Sequence, residues 1–422
     1  MDTGNTTWVL VSAALVLLMT PALAFFYGGL VKTKSVVSMM MLSFGAMALI
    51  GVTWVLYGYA IAFPGSQNEP AATYYGIPHI IGINTASLGL NDLLVVPEGA
   101  MFPPLAFAAF QAGFAIITVA LISGAIADRA KFGAWLLYAF LWSTIVYFPV
   151  AQWVFNFTLG GENGTTVVDG GWLVYQIGVI DFAGGTAVHI AAGAAGFALA
   201  IVLGKRIGFA KGVDKPHNVP LVMLGAGLLW FGWFGFNAGS ELAADGIAAQ
   251  AFINTIAAPA AAVLGWLLVE RIKDGKATSV GAASGAVAGL VAITPACAAL
   301  TPGWAIVLGA VAGILCALAI ELKFKFGFDD SLDVVGIHLV GGIVGTLFIG
   351  FFATGVGLLE SGSFDQLGKQ ALGAVVVLAF SFIASLIIGF IIEKTMGFRV
   401  KNEDELAGID TVVHGEEGYQ MA

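Results

Sequence analysis

Charged side chains are scarce in this sequence of 422 residues: Asp, Glu, Lys and Arg together make up 10%, whereas hydrophobic residues make up 59%. A water-soluble domain usually carries about a quarter charged residues, so the composition excludes an ordinary soluble enzyme and a disordered protein. Cysteine is also rare, because Cys297 and Cys316 are the two in the chain and both lie in apolar stretches. Two such thiols cannot build a disulfide framework or a metal cluster. The composition places the chain in a lipid bilayer.

Apolar runs long enough to cross a bilayer recur along the chain. A spanning helix needs about 20 mostly apolar residues. Eleven segments are predicted to span: 8–30, 36–63, 101–127, 133–155, 177–204, 219–239, 248–270, 279–298, 303–322, 333–353 and 370–392. The first run lacks a basic leader, so we interpret it as a span rather than a signal peptide. The abundant glycine, 57 residues, indicates close helix contacts. The sequence predicts an all-α integral membrane protein.

Lysine and arginine are almost missing from one side of the predicted membrane. The 17 basic residues lie in alternate connections and in the C-terminal tail, and only Lys369 falls on the opposite side. The long connections 64–100 and 156–176 contain acidic residues but neither Lys nor Arg. Because basic residues near helix ends remain cytoplasmic, we predict a multi-pass cell-membrane protein with its N-terminus outside. The predicted domains are a transmembrane domain, 1–392, and a cytoplasmic tail, 393–422.

The order of the spans predicts an internal repeat. Five spans followed by five more give two halves of opposite orientation, and the eleventh span is added at the C-terminus. The pattern H-x-x-x-G-x-x-G begins at His189 in the fifth span and again at His338 in the tenth. Inverted repeats are common in transporters, whose substrate path lies at the repeat interface.

His189 and His338 are ionisable residues inside predicted spans, and such residues are costly in a bilayer unless they mark a pathway or a partner. The glycines four and seven residues after each histidine let the two helices approach, so we predict that the imidazoles touch. One interpretation is two core histidines bonded to backbone carbonyls. The other is a pair that relays protons or contacts a substrate. A zinc site is the weakest alternative, because no Cys, Asp or Glu lies at ligand spacing on these helices.

Two aspartates precede these histidines. Asp181 lies eight residues before His189 in a segment typical of a helix start, so we predict an N-cap whose charge also attracts cations. Asp333 lies five residues before His338, and we predict another cap, near the inner mouth. His338 would then be shallow unless residues 326–333 dip into the bilayer, and irregular backbone is tolerated there only around a cavity.

Aromatic residues form stripes on two other spans. The third span carries Phe107, Phe110 and Phe114, and the sixth carries Trp230, Trp233 and Phe236. Such a stripe is usually packing or lipid-facing; lining a pore, it would form a dry constriction or a cation–π cage. Gln111 and Ser240 could add hydrogen bonds.

A series of segments, in the same order along nearly the whole chain, resembles the ammonium transporter family, the Amt group of the Amt/Mep/Rh superfamily. They include DFAGGTAVH (181–189), GWFGFNAGS (232–240), FINTIAAPAAAVLGW (252–266) and DDSLDVVGIHLVGGIVGTL (329–347). The resemblance implies eleven spans, an inverted repeat and a homotrimer with one pore in each subunit. Both the number of spans and the outside N-terminus agree with the counts made from the residues.

The resemblance also implies roles for single residues. His189 and His338 correspond to twin pore histidines, and Phe114 with Phe236 to a stacked phenylalanine gate. The outer ammonium site is implied to involve Phe110, Ser240, Phe155 and, beneath them, Asp181. Phe155 is a departure, because the family usually has a Trp there and Phe offers a weaker cation–π face. Whether Trp153 substitutes for it stays open.

The C-terminal tail resembles the region through which family members couple subunits and bind PII-type signalling proteins. The residues that carry this resemblance are Gly408, Asp410, His414, Gly415 and Glu416. The alternative is a solvated, disordered end, because Glu403, Asp404 and Glu405 lie close together.

These observations predict an ammonium transporter rather than an enzyme, with no cofactor, no metal and no nucleic-acid partner. Ammonium, or its analogue methylammonium, would be held at the outer mouth, lose its proton and cross largely as NH3. Whether the proton follows along the histidine pair stays open at this point. The alternative is an ammonium sensor that signals through the tail and a PII-type protein. An intramembrane enzyme would need a nucleophile with a base or a metal motif such as HExxH, and a retinal-type receptor would need a Lys within a span. Neither feature occurs in the sequence.

Overall fold

The computed structural model describes residues 1–65, 74–77, 79–157, 159–160, 166–168, 170–209 and 215–419. Within these ranges ten helices are long and apolar enough to cross a membrane, and Ser279–Ile293 is a shorter apolar helix. The protein is therefore an all-α membrane protein, as the apolar runs predict.

The eleven helices are labelled α1 to α11 in chain order. Their bounds are Thr3–Leu30, Thr33–Ala62, Pro104–Ile126, Phe132–Phe155, Gly185–Leu203, Val219–Glu241, Gly246–Lys273, Ser279–Ile293, Pro302–Phe326, Val335–Phe352 and Asp365–Thr395. Short antiparallel strand pairs occupy the two long connections. β1, Tyr74–Ile77, pairs with β2, Ile81–Asn84, and β3, Leu159–Gly160, pairs with β4, Thr166–Val168.

Two helices, α5 and α8, are shorter than the sequence predicts by five residues or more. α5 begins at Gly185 rather than 177, because the backbone takes left-handed conformations at Gly178 (φ 87°) and Gly184 (φ 108°). α8 ends at Ile293 rather than at residue 298. Pro295 follows closely, and a proline lacks the N–H donor that would continue the helical hydrogen bonding.

α11 is longer than predicted, with 31 residues instead of the span 370–392. Its additional N-terminal turn carries an ion pair between Lys369 Nζ and Asp365 Oδ2 at 2.6 Å. The helix continues through polar residues at both ends, beyond the apolar run from which its bounds were predicted. Such residues add no hydropathy, so an apolar window misses them.

Small residues bring the helices into close contact. A Cβ on Gly225 of α6 would lie 2.3 Å from the backbone nitrogen of Phe26 in α1, so these two backbones nearly touch. Among the ten membrane-length helices, α5 and α3 are the most enclosed, with 83% and 78% of their apolar windows buried. This packing places α5, with its histidine, at the centre of the molecule.

The tail after α11 packs against the ends of earlier helices. Arg399 forms an antiparallel bridge with Ala130, in the connection between α3 and α4. A short helix, Asn402–Ala407, and a π-helical turn, Asp410–His414, follow. The described part of the tail, to residue 419, is therefore folded, and the alternative of a disordered end is wrong for that part.

Candidate functional site

The two intramembrane histidines meet at the contact between α5 and α10. Their Nδ1 atoms lie 3.3 Å apart, within hydrogen-bonding distance, and the ring planes are inclined by 23°. Both residues are buried. Each lies in a π-helical turn, Gly185–Ile190 or Val335–Leu339. Wide turns of this kind are rare and occur often at functional sites.

The glycines of the repeated pattern make this contact possible. A Cβ on Gly193 would lie 2.5 Å from the backbone nitrogen of Leu339, the neighbour of His338. A Cβ on Gly342 would lie 3.2 Å from the Cβ of His189. Each helix thus presents a glycine to the histidine region of the other. The reciprocal contact agrees with the close approach that the sequence pattern predicts.

A narrow apolar cavity lies beside the histidines. Its volume is about 10 Å³, enough for about one water-sized molecule. It is lined by His189, His338, Met19, Leu23, Ile117, Leu121, Val188, Leu229, Trp233, Phe236 and Val287. The sequence analysis did not assign Met19, Leu23 or Ile117 to a site, because ordinary apolar residues on separate helices carry no signal that distinguishes a pore wall from a core.

Trp233 supports one of the two imidazoles. Its ring stacks on His189 with centroids 5.5 Å apart, and its indole Nε1 donates to Thr294 Oγ1 at 2.8 Å. The hydrogen bond fixes the indole, and the stacked indole then restricts the histidine ring. The aromatic stripe on α6 is therefore in contact with the histidine pair rather than with lipid at this residue.

A stacked pair of phenylalanines lies next to His189. The rings of Phe114 and Phe236 have centroids 4.2 Å apart and planes inclined by 21°. Both side chains are fully buried, and the Phe236 ring is 6.0 Å from that of His189. Rings at this separation are in van der Waals contact, so passage between them requires the rings to move.

Further aromatic rings surround Phe114. Phe110 lies edge-on at 4.9 Å and Phe155 at 5.8 Å, so the structure gathers these three residues in one cluster. The hydroxyl of Ser240 donates to the carbonyl of Phe236 at 2.7 Å, and its oxygen keeps lone pairs that can accept another bond. Gln111 is also buried, and its Oε1 has no hydrogen-bond partner among the described residues.

Trp153 points away from this cluster. Its ring packs on Trp172 and Phe380, with centroids 5.7 Å and 4.9 Å away, and its indole donates to the carbonyl of Ile80. The Trp153 ring therefore packs on Trp172 and Phe380 rather than on the phenylalanine cluster around Phe114.

Asp181 is a helix cap, as predicted. Its carboxylate accepts hydrogen bonds from the backbone N–H groups of Gly184, Gly185, Thr186 and Ala187 at 2.6–3.2 Å and from the Thr186 hydroxyl. The residue is only 7% exposed. A negative charge is thereby fixed at the N-terminus of the helix that carries His189, where the helix dipole favours it.

The prediction that Asp333 caps α10 is wrong, because Asp330 does so. The Asp330 carboxylate accepts from the backbone N–H groups of Val334 at 3.1 Å and Val335 at 2.7 Å. Asp333 has a positive φ of 63°, which turns its side chain to an ion pair with Lys323 at 2.5 Å. Asp330 precedes His338 by eight residues, the spacing between Asp181 and His189, and this equality was the signal that the sequence analysis missed.

The segment before α10 is buried inside the protein. Asp329, Asp330 and Ser331 are each at most 3% exposed. The backbone N–H groups of Ser331 and Leu332 donate to carbonyl oxygens near the end of α3, those of Ala125 and Gly124. These two N–H groups of the irregular segment before His338 therefore have protein hydrogen-bond partners. Irregular backbone is tolerated at membrane depth only under that condition.

An ion network joins three connections near this segment, and the sequence analysis missed it. Arg206 donates to Asp329 through its backbone N–H, Nε and Nη2, and forms an ion pair with Asp128 at 3.2 Å. Burial opposes ionisation of Asp329, but the bonds from Arg206 outweigh it and lower the pKa of that carboxyl. Burial raises the pKa of Asp330 to about 6.

The tail residues singled out by the sequence make different contacts. Asp410 accepts from the backbone N–H groups of Val37 and Ser38 at 2.9 and 2.7 Å, and burial raises its pKa. His414 packs edge-on against Phe132 at 5.4 Å. Gly408 and Gly415 adopt positive φ values of 126° and 69°, which favour glycine. Glu416 is exposed.

Metal ligands do not cluster in the part of the chain that the structure describes. No group of three or more His, Cys, Asp or Glu side chains there is placed to hold a metal ion. A structural or catalytic zinc site needs three or four ligands. The chemistry available at the centre of the molecule is hydrogen bonding by imidazole and contact with aromatic rings.

Comparison with known proteins gives one consistent result. Residues 7–419 match the Ammonium Transporter Family. An ammonium transporter of Mycobacterium bovis is 54% identical over 100% of this chain and 91% of its own length, and one of Bacillus subtilis is 43% identical over 100% and 99%. The solved structure of Mep2 from Saccharomyces cerevisiae has a TM-score of 0.82 at 33% identity, covering 95% of this chain and 91% of Mep2. A solved structure named Sensor Amt Protein has a TM-score of 0.86 at 29% identity, covering 97% and 98%. The chain belongs to the ammonium transporter family.

Proposed function

We propose that this protein recruits ammonium on its outer side and splits it into ammonia and a proton. Ammonia passes through the cavity beside His189 and His338, and the imidazole pair relays the proton separately, so that net charge crosses the membrane. The observation that carries the proposal is the hydrogen-bonded imidazole pair in a narrow apolar cavity below two stacked phenylalanines. Transport of ammonium as such follows from the family; the route and the chemical form of the substrate are the proposal.

The energetic argument is the cost of dehydrating an ion. Moving an ammonium ion from water into a medium of low dielectric constant costs tens of kcal/mol in the idealised limit, and still several kcal/mol after relaxation. The cavity lining consists of apolar side chains apart from the imidazoles and the Trp233 indole. Ammonia carries no charge, so it avoids this cost.

The imidazole pair can help ammonia without trapping it. A neutral imidazole has one donor and one acceptor nitrogen, and the contact between the two Nδ1 atoms uses one of each. The Nε2 of His189 is buried and has no partner among the described residues. It is available for one hydrogen bond to ammonia, which replaces a bond to water at no cost in charge.

The outer aromatic cluster supplies the recruiting site in this proposal. The rings of Phe110 and Phe155 offer cation–π contacts, worth about 0.5–1 kcal/mol each where exposed and more when dehydrated. The Ser240 hydroxyl oxygen can accept a hydrogen bond from ammonium. Asp181 contributes through its fixed negative charge rather than by contact, because its oxygens are bonded to the backbone.

The orientation and assembly belong to the same proposal. The basic residues on one face support a cytoplasmic C-terminus, and the shared spacing of Asp181 to His189 and Asp330 to His338 supports an inverted five-plus-five repeat. Membership of the family supports a homotrimer in the cell membrane. Asp333 then lies at the inner mouth, paired with Lys323.

We further propose that residues 393–422 form a regulatory tail that responds to a PII-type protein. Asp410 bonds the N-terminal end of α2, and Glu405 accepts from the backbone N–H of Ile207, in the connection that also carries Arg206. Movement of the tail would therefore break or shift these hydrogen bonds and displace the connection that follows α5.

A sensor function is the second candidate, and a specific observation favours it. The structural relative with a TM-score of 0.86 is named a sensor protein. A sensor requires that ammonium changes the tail, whereas a transporter requires flux. Flux measured on the purified protein in liposomes separates the two.

Substitution of one imidazole tests the proposed route. We expect His189→Ala to abolish methylammonium-linked current in liposomes, because the hydrogen-bonding path through the apolar cavity is interrupted. His79→Ala is the matched control, since His79 lies in an outer connection and bonds the carbonyl of Gly170. Undiminished current in a correctly folded His189→Ala protein would refute a required pair.

A further inference from the structure

Two acidic side chains, Glu241 and Asp245, follow Ser240 at the end of α6. Glu241 is the residue next to Ser240, in the short turn that ends the helix. The backbone N–H of Leu242 closes this turn by donating to the carbonyl of Gly239 at 3.0 Å. Leu242 has a positive φ of 62°, and the chain then continues into α7. The turn therefore holds the Glu241 side chain close to the hydroxyl that belongs to the proposed recruiting site.

Asp245 holds a negative charge at the start of α7. Its Oδ1 accepts hydrogen bonds from the backbone N–H groups of Ile247 at 2.9 Å and Ala248 at 3.0 Å. These donors and the helix dipole both stabilise a carboxylate at the N-terminus of a helix. The other oxygen, Oδ2, takes no part in the two bonds. Asp245 is therefore the ionised member of any pair that it forms with another carboxyl group.

The side chain of Glu241 forms a hydrogen bond with that of Asp245. Two carboxyl groups can do so only when one of them carries a proton, because an ionised carboxylate has no donor. Since the N–H groups of α7 stabilise the charge on Asp245, the proton resides on Glu241. Glu241 is partly buried, which also favours its neutral form. Two carboxyl groups that share a proton release it at a higher pH than an isolated carboxyl group does.

The charged groups around this pair are acidic. Within the described ranges, Asp245 is the charged group that acts on the Glu241 carboxyl, and no basic side chain does. Asp2 is the titratable group at the neighbouring end of α1. Asp181 and Glu241 both act electrostatically on Cys297, in the turn after α8, so these two carboxyl groups lie at the same end of the molecule. A charge on Glu241 is therefore not cancelled by a basic neighbour.

We infer that the proton shared by Glu241 and Asp245 sets the affinity of the outer ammonium site. While Glu241 holds the proton, its side chain adds no charge to the site. When the proton leaves to water, a second negative charge appears one residue from Ser240, where it attracts ammonium. Recruitment therefore strengthens as the external pH rises. The inference rests on the proposed recruiting site around Ser240 and Phe110.

The dependence of ammonium affinity on pH tests this inference with two substitutions that act in opposite directions. Apparent KM values come from solid-supported-membrane currents at about pH 5.5 and about pH 8, which bracket the release of a shared carboxyl proton. In the wild type we expect a KM about two- to threefold lower at the higher pH, the effect of one unit charge at roughly 7 Å in water. Glu241→Gln should keep the KM near the acid value at both pH values. Asp245→Asn retains a capping side chain and should keep it near the alkaline value, because Glu241 then ionises as an isolated carboxyl group.

Glu98→Gln is the matched control, because Glu98 is an exposed carboxyl group on another outer connection. Its KM should change with pH as in the wild type. A wild-type KM that does not change with pH would overturn the inference, and so would a wild-type ratio retained in Glu241→Gln.

Infrared spectroscopy detects the shared proton without any transport. We expect a protonated-carboxyl band at about pH 6 that is weaker in Glu241→Gln than in the wild type. Identical bands in the two proteins would also overturn the inference. A potassium current as large as the ammonium current would instead contradict the proposed function, and it would leave the infrared result unchanged.

Discussion

Replacing Asp181 with Asn separates the role of this carboxylate as a helix cap from a role as an ammonium ligand. The wild-type carboxylate accepts four backbone hydrogen bonds and one from the Thr186 hydroxyl, and it is 7% exposed. Hydrogen bonds to a charged group contribute about 1.5–3 kcal/mol each, against 0.5–1.5 for neutral ones. Such contributions are not additive within one network. We expect Asp181→Asn to destabilise the protein by about 3 kcal/mol, and Asp181→Ala by more.

Thermal unfolding in detergent, followed by tryptophan fluorescence, measures this loss. Asp2→Asn is the matched control, because Asp2 caps α1 in an exposed position and its side chain accepts a single backbone bond, from Asn5 at 2.7 Å. The control should retain nearly the wild-type midpoint. If Asp181→Asn kept wild-type stability but lost ammonium binding, the carboxylate would be a ligand and the capping argument would fail.

Three further substitutions test other parts of the structure. Phe155→Trp should lower the apparent KM for ammonium by up to about fivefold, since Trp offers the stronger cation–π face and a cation–π contact at an exposed site is worth about 0.5–1 kcal/mol in total. Phe157→Trp is the control, and an unchanged KM in both variants would exclude Phe155 from the site. Asp330 has its pKa raised to about 6 in the folded protein, so the folded state holds the proton more tightly than the unfolded state and stability falls as pH rises from about 4 to 6. Asp330→Asn should reduce the slope of the unfolding midpoint against pH in that interval. A slope identical to that of the wild type would show that Asp330 does not cause the pH dependence. Gly193→Val should force α5 and α10 apart, because the valine Cβ would lie 2.5 Å from the Leu339 nitrogen. We expect the free energy of unfolding to fall by about 1–3 kcal/mol. A melting curve identical to that of the wild type would contradict this expectation.

The eleven helices were predictable because apolar content is what a bilayer selects, residue by residue. The approach of His189 to His338 was also accessible, since glycines at fixed spacing report close helix packing. Both predictions use information local to one helix or to two similar patterns. The start of α5 and the end of α8 could not be predicted from the sequence. They depend on the backbone conformation at Gly184 and on Pro295 rather than on hydropathy.

Contacts between distant connections were beyond the sequence. Arg206, Asp128 and Asp329 lie on three separate connections, and only the fold brings both carboxylates within 3.2 Å of the Arg206 guanidinium. The cap on α10 was misassigned for a related reason. Asp330 and Asp333 both precede the helix, and the choice depends on the positive φ at Asp333, which the sequence does not specify.

The central claim is that ammonia, rather than an intact cation, passes the histidine pair. Potassium is the direct test, because it is a monovalent cation of similar size that cannot lose a proton. Solid-supported-membrane recordings on the purified wild-type protein compare currents after ammonium and potassium pulses of equal concentration. A current with ammonium and none with potassium is the predicted result. A potassium current of comparable size would show that the pore passes ions intact and would contradict the mechanism.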